Sequence, residues 1–349
     1  MLKIAFITHN PLLRRNHRLI TSLRKKHLVK VIEPTIRTNT RLLSVNVSSA
    51  VRLFFLGTKS ISCSMPMIVD CEAAIFFPHF GKRYILEYPG PISEEVKWWG
   101  SPVISQMMFL KERSMCMRAV SVLVPNELIG QYCQHVLGAE RIFVIPNYPP
   151  SSFRPTIDPT TFREAQNISG QLKIAVCTLA GRLKEIYGLD LLLESWKIVE
   201  DSLDNAFLVL IGPRPDAEVT ADALKEYARS YGVKNIRVVG WVDYMELPNW
   251  INIADVCLAP RTPGFPSQFY NDKDSTKISE YAALRKPIVA AGYSPSTQYL
   301  LTERTPEAFA EGILRAFEGR VKPAEPHFWE ENEEKLFEAV KLFSLKSCS

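Results

Sequence analysis

Pro146, Pro149 and Pro150 break the chain near its middle, and on each side short apolar runs alternate with amphipathic stretches. Short apolar runs bounded by turn residues read as buried strands, and apolar positions at 3.6-residue spacing read as helices. Alternating strand and helix implies parallel sheets covered by helices, because a parallel crossover needs a helix-length return. A proline cluster continues neither pattern and marks a linker. At 349 residues the chain is also longer than one hydrophobic core usually serves. The expected division is 1–150 and 151–325, with a last amphipathic helix at about 326–349 folding back onto the first domain.

In the first half, Lys3 to Thr8 and Leu28 to Glu33 read as strands. Between them Arg14 to Lys26 is a basic helix with Leu19, Ile20 and Leu23 facing inward. Residues 9–18 then lie at a strand's carboxyl end, where open α/β sheets bind ligands. Arg14, Arg15, Asn16 and Arg18 are candidates to meet a phosphorylated substrate; a solvated helix start is the plainer reading. Val45 to Leu56 has helical apolar spacing, and Met67 to Phe76 reads as a helix. The strand Arg83 to Tyr88 runs into Pro89-Gly90-Pro91, which leaves Glu87 at its carboxyl end.

The alternation restarts after the linker with five strand candidates, ending near Cys177, Ile211, Val239, Ala259 and Ala291. A doubly wound sheet brings Arg182, Gly212, Gly240, Pro260 and the loop 271–277 to one rim. Residues 270–292 read as a polar loop, a helix of about ten residues, a break at Lys286-Pro287 and a buried strand. Lys277 and Glu280 share a helix face with Tyr281 and Leu284. They form either an ordinary i,i+3 ion pair or, with the unpaired N–H groups of the helix start, a seat for an anionic, hydroxyl-bearing ligand. Ser275 or an aspartate is the expected cap.

Other classes drop out. A net charge of +5 without a long basic tract gives no case for nucleic acid. No glycine-rich fingerprint marks a dinucleotide cradle. Seven cysteines and six histidines are scattered with no close CxxC pair, so no metal site is expected. The N-terminus turns polar too soon for a signal peptide and no run reaches bilayer length, so a cytoplasmic protein is expected. The basic helix 14–26, the 45–56 segment and the Trp98-Trp99 pair are candidate peripheral contacts with an anionic bilayer, each with an ordinary packing alternative. Oligomeric state is not legible.

Several segments, in order, resemble the GT-B retaining glycosyltransferases of family 4, the glycosyl transferases group 1. They are Lys3 to Ile7, Lys111 to Arg113, Ala119 to Pro125, Arg141 to Asn147, Ala180 to Leu183 with Gly188 to Leu192, Leu208 to Gly212, Val238 to Asp243, Ala254 to Pro260 and Ser275 to Ala290. The resemblance implies two Rossmann-like doubly wound domains facing across a cleft. The first would take a lipid-linked or saccharide acceptor. The second would take a UDP-, GDP- or ADP-linked sugar, with no further cofactor.

It also implies residue roles. Arg182, beside Gly181, would hold the donor diphosphate; Ser275, Thr276 and Lys277 would line the phosphates; Glu280 would bind the ribose. Asp272, eight positions before Glu280, would approach the transferred sugar, with Asp274 its rival. Gly212 lies on the same rim, and Val239, Gly240 and Trp241 would lie near the base. Two departures stand out. Tyr187 occupies a position where the family commonly has lysine, leaving Lys184, Lys273 or Lys277 to compensate. Glu87 stands near the place of a common histidine. A nucleotide-sugar epimerase and a catalytically degenerate sugar-nucleotide-binding or scaffold subunit are the alternatives.

Overall fold

The computed structural model describes residues 1–8, 14–32, 66–74, 84–98, 100–179, 186–213, 219–262 and 264–345. The chain divides into two compact units, Met1–Asn147 with Trp329–Ser349, and Tyr148–Phe328.

The first unit runs β1 (Lys3–Ile7), α1 (Arg14–Arg24), β2 (Leu28–Ile32), β3 (Met67–Asp70), α2 (Cys71–Ala74), β4 (Tyr84–Glu87), α3 (Ile92–Trp98), α4 (Pro102–Arg118), β5 (Ser121–Val124), α5 (Glu127–His135) and β6 (Ile142–Val144). Its sheet has six strands in the order β2-β1-β3-β4-β5-β6, all parallel. β3 corrects the first part of the helix expected over Met67 to Phe76, whereas Cys71–Ala74 is helical: Met67 to Asp70 are all buried between strands on both sides. A central parallel strand is apolar on both faces, and so short a run shows no period that separates it from a buried helix.

The second unit runs α6 (Pro159–Ala165), β7 (Lys173–Thr178), α7 (Leu189–Ser202), β8 (Ala206–Ile211), α8 (Ala221–Ser230), β9 (Ile236–Gly240), α9 (Leu247–Asn252), β10 (Val256–Pro260), α10 (Thr276–Ala283), β11 (Ile288–Ala291), β12 (Leu300–Thr302) and α11 (Pro306–Phe317). The last helix, α12 (Glu333–Leu345), belongs to the first unit. The second sheet also has six strands, in the order β12-β11-β10-β7-β8-β9. This is one more than the five expected, because β12 is three residues long and only partly buried. The order is that of a Rossmann-type sheet, and it reverses between β7 and β10.

Each sheet has its own core. Ile4, Phe6, Leu19, Leu23 and Ile68 pack with Trp329, Leu336, Val340 and Phe343, so α1 and α12 cover one face of the first sheet. The Trp329 indole N–H donates to Ser22 Oγ at 2.8 Å, which satisfies its one polar atom. In the second unit, Trp196, Leu192, Leu208, Leu258, Val289 and Phe309 form the main cluster. Each such side chain, fully buried, contributes about 1.5–3 kcal/mol. Five cysteines at 71, 116, 133, 177 and 257 are free and buried, and act as small core residues. No helix among the described residues is long and apolar enough to cross a membrane.

Candidate functional site

In a doubly wound sheet the crevice opens beyond the carboxyl ends of the strands, where the order reverses. In the second unit that point lies between β7 and β10, and α10 is pinned to it by Tyr281. The Tyr281 hydroxyl accepts from Thr178 N–H at 2.7 Å and lies 3.5 Å from the Leu258 carbonyl. One side chain thus ties the helix to both strands flanking the reversal. Burial raises the Tyr281 pKa well above the ordinary tyrosine value, so the hydroxyl keeps its proton.

Lys277 lies one turn before Tyr281 on the same face. It is only 6% exposed, and its ammonium has no hydrogen-bond partner. The ammonium instead sits 4.5 Å from the centre of the Tyr187 ring. Its charge offsets part of the rise that burial imposes on the Cys177 thiol. The i,i+3 ion pair with Glu280 is not formed, although Glu280 is only 2% exposed.

Two close backbone approaches bring Tyr187 there. Gly188 N–H donates to Thr262 Oγ1 at 3.1 Å, and Thr262 N–H donates to the Ile186 carbonyl at 3.1 Å. Gly188 has φ +59°, and a Cβ there would stand 2.8 Å from the Arg261 carbonyl carbon. Only glycine allows the loop entering α7 to lie against the end of β10. Gly212 plays a similar part after β8, where a Cβ would fall 2.0 Å from the Leu179 carbonyl oxygen.

Ser275 occupies the N-cap position of α10, but its side chain caps nothing. Its hydroxyl lies 3.4 Å from that of Tyr293. By contrast Asn126, Asp158, Thr220 and Thr305 do cap their helices. The expectation that Ser275 caps the helix is therefore corrected: its hydroxyl does not cap the N–H groups of the α10 start, with half-buried Thr276 beside it.

The two rival aspartates separate. Asp274 accepts from Asn271 N–H and lies 3.7 Å from Arg261 Nη2. Asp272 is buried and lines a small recess with Tyr148, Ser279, Gln298 and His327. Ser279 Oγ donates to the Asp272 carbonyl at 2.7 Å, fixing the loop to α10.

Arg261 follows β10 and is enclosed by the rings of Phe265, Tyr270 and Tyr293 at 4.4–4.7 Å. Burial pulls its pKa down, but Tyr293, Asp274 and Tyr270 outweigh that and raise it. The sequence reading did not single it out. The available signal was an arginine at a strand end followed within ten residues by Phe265, Phe269 and Tyr270.

Val239 and Gly240 close β9, and Gly240 carbonyl accepts from Gly212 N–H at 2.7 Å, so these two glycines adjoin on the rim. Trp241 follows, half exposed. Gly181 and Arg182 lie outside the described residues, as do residues 9–13, the 45–56 segment, Trp99 and Lys184.

In the first unit Glu87 ends β4 and is buried, and its Oε1 accepts from Arg15 Nε. Arg15 Nη1 donates to the Ile145 carbonyl at 2.6 Å and to Asn147 Oδ1 at 2.7 Å. Asn16 Nδ2 donates to Thr8 Oγ1 and Asp70 Oδ2, both at 2.9 Å, where that sheet's order reverses between β1 and β3. Arg15 and Asn16 are thus interior groups and not the solvated helix start of the plainer reading.

Two parallel six-stranded sheets with interleaved helices, in two units, define the GT-B class of α/β proteins. Residues 175–318, all within the second unit, match the family model described as glycosyl transferases group 1. No curated protein matches the chain by sequence. Among solved structures it is similar to sucrose-phosphate synthase from Thermosynechococcus elongatus, at 14% identity over 99% of this chain and 98% of that one, with a TM-score of 0.69. It is similar to Anabaena Alr3699/HepE in complex with UDP-glucose, at 14% identity over 98% and 100%, TM-score 0.65. UDP-GlcNAc 2-epimerase from Neisseria meningitidis bound to UDP-GlcNAc matches at 11% identity over 97% and 99%, TM-score 0.64. At such identities these likenesses establish the fold.

Proposed function

We propose that this protein is a retaining glycosyltransferase that moves a sugar from a nucleoside-diphosphate sugar to a saccharide or lipid-linked acceptor. The observation that carries the donor assignment is the buried, unpartnered ammonium of Lys277, beside an uncapped helix start at the reversal point of the second sheet. A buried cation without a carboxylate is costly unless a ligand supplies the counter-charge. A diphosphate has the charge, and the α10 N-terminus supplies dipoles aligned with it.

Breaking the bond between sugar and diphosphate leaves positive charge on the sugar and negative charge on the departing phosphate. Lys277, the α10 start with Ser275 and Thr276, and Arg182 steady the phosphate. Glu280 accepts hydrogen bonds from the ribose, and the stretch Val239, Gly240 and Trp241 lies beside the base. Asp272 approaches the sugar hydroxyls; Asp274 serves Arg261. The acceptor hydroxyl attacks on the face the diphosphate leaves, and a phosphate oxygen takes its proton, so no side-chain nucleophile is needed. The first unit takes the acceptor, with Glu87 orienting Arg15 at its rim.

A thermal-shift screen with UDP-, GDP- and ADP-sugars tests the donor assignment, since binding raises the melting temperature by mass action. Stabilisation by one donor and its free nucleotide is the expected result; none by any of them sinks the reading. Stabilisation without hydrolysis or transfer over a broad acceptor panel identifies a degenerate binding subunit.

The likeness to a UDP-GlcNAc 2-epimerase supports a second reading on the same architecture. Incubation with UDP-GlcNAc and no acceptor separates the two: an epimerised sugar nucleotide marks the epimerase, and unchanged donor the transferase.

A further inference from the structure

α4 is built differently from the other long helices of the chain. Its inward side is anchored by buried Ser105, Glu112, Met115 and Cys116, and the Tyr84 hydroxyl donates to the Met115 carbonyl at 2.7 Å. Yet its outward side is apolar too. Val103 is 73% exposed, Met107 62%, Leu110 58% and Met117 56%. With Ser114, these positions recur at alternating steps of four and three, which puts them in one stripe along the helix. A 17-residue helix is about 25 Å long, and large apolar side chains strung along that length on one exposed face mark an interaction surface.

The borders of the stripe identify what it meets. Lys111 and Arg118 run along one side; Gln106 and Arg113 run along the other. The single acid of α4 is Glu112, and its carboxylate is turned inward, where it accepts from Tyr88 Oη at 2.9 Å and from Ile92 N–H at 2.7 Å. Its outward face is therefore apolar and cationic, with no carboxylate of its own. α3, packed alongside, carries Glu94 and Glu95, and Lys97 lies 4.0 Å from Glu94. Partial burial, and after it the neighbouring Arg118 charge, lowers the Lys111 pKa from its ordinary value.

We infer that the outer face of α4 docks on an anionic phospholipid surface. The helix would lie in the interface, with Val103, Met107, Leu110 and Met117 entering the acyl boundary and Lys111, Arg113 and Arg118 meeting lipid phosphates. A second copy of the chain fits less well. Pairing two α4 helices would set their bordering cations together with no outward carboxylate on either helix to offset them. The inference stands apart from the donor site and rests on a helix whose exposure only the fold reveals.

The test is sedimentation of the full chain with neutral phosphatidylcholine vesicles and with vesicles containing phosphatidylglycerol. The wild type should partition onto the anionic vesicles only, and less as salt rises. Met107→Ser with Leu110→Ser should lower partition by roughly tenfold or more, with an unchanged melting temperature because both residues are exposed. Arg113→Gln and Arg118→Gln should each cost about fivefold. Equal binding to both vesicle types, no binding, or an unaffected double variant overturns the proposal. So does a wild-type dimer in analytical ultracentrifugation that the double variant converts to monomer, which would make the stripe a self-interface.

Discussion

The ammonium of Lys277 stands 4.5 Å from the centre of the Tyr187 ring and has no hydrogen-bond partner. The ring face supports the ammonium through a cation–π contact. Under the proposed function this lysine supplies the charge that meets the donor diphosphate.

Lys277→Met tests this with two readouts of opposite sign. Removing a cation aimed at the diphosphate should lower kcat/KM by about 10²-fold, as for other single donors to a developing charge. The same change replaces a buried, unpartnered charge with an apolar chain of similar length, so the melting temperature should hold or rise. A lower melting temperature with unchanged nucleotide affinity by titration calorimetry would assign Lys277 a structural role only.

Arg261 should behave as a brace. Its guanidinium is held among Phe265, Tyr270 and Tyr293 and lies 3.7 Å from Asp274. Arg261→Met strands Asp274 in a buried setting and should cost about 3 kcal/mol in urea unfolding. Asp274→Asn added to it should recover part of that loss. Arg261→Lys should not rescue fully, because an ammonium lacks the planar stacking surface.

Glu87 and Arg15 form a buried ion pair across 72 residues of chain. Glu87→Ala should destabilise the first unit by about 3 kcal/mol by leaving the guanidinium without its carboxylate. The double variant with Arg15→Met should be more stable than Glu87→Ala alone. If Glu87 only orients Arg15, Glu87→Gln should alter KM for the acceptor more than kcat; a collapse of kcat alone would give Glu87 a direct part in transfer.

Glu112 makes stability depend on pH. Burial pushes its carboxyl from 4.5 up to about 7, against hydrogen bonds from Ser93, Tyr88 and Ile92 that pull it down. The folded state therefore holds a proton that the unfolded chain releases near pH 4.5. The stabilisation is fully present below that value and is lost as pH rises through about 7. A shift of this size corresponds to roughly 3 kcal/mol. Glu112→Gln should flatten the unfolding free energy between about pH 5 and 7.5 relative to wild type; parallel profiles for the two proteins would remove Glu112 as the source.

Much of the fold was legible because period and punctuation are local. The apolar run ending at Ile211 has the residues of a strand, and Lys286-Pro287 can only interrupt a helix, so α10 and β11 were readable. The run from Met67 failed since a strand buried on both faces has no alternation to display. β12 failed because three residues are too few to carry a pattern.

The sequence by itself determined two α/β units, a short helix over Thr276–Ala283 and the candidacy of Lys277 and Glu280 on one face of it. It offered an ion pair, the plainer reading, and an anion seat. The tertiary structure removed the ion pair: Gly188 tucks against Arg261, which carries Tyr187 to a lysine 90 residues away, and Tyr281 anchors α10 to β7 and β10. Whether the ion pair forms depends on what surrounds the ammonium, and here those surroundings come from strands and loops distant in the chain. Spacing along one helix contains no record of them.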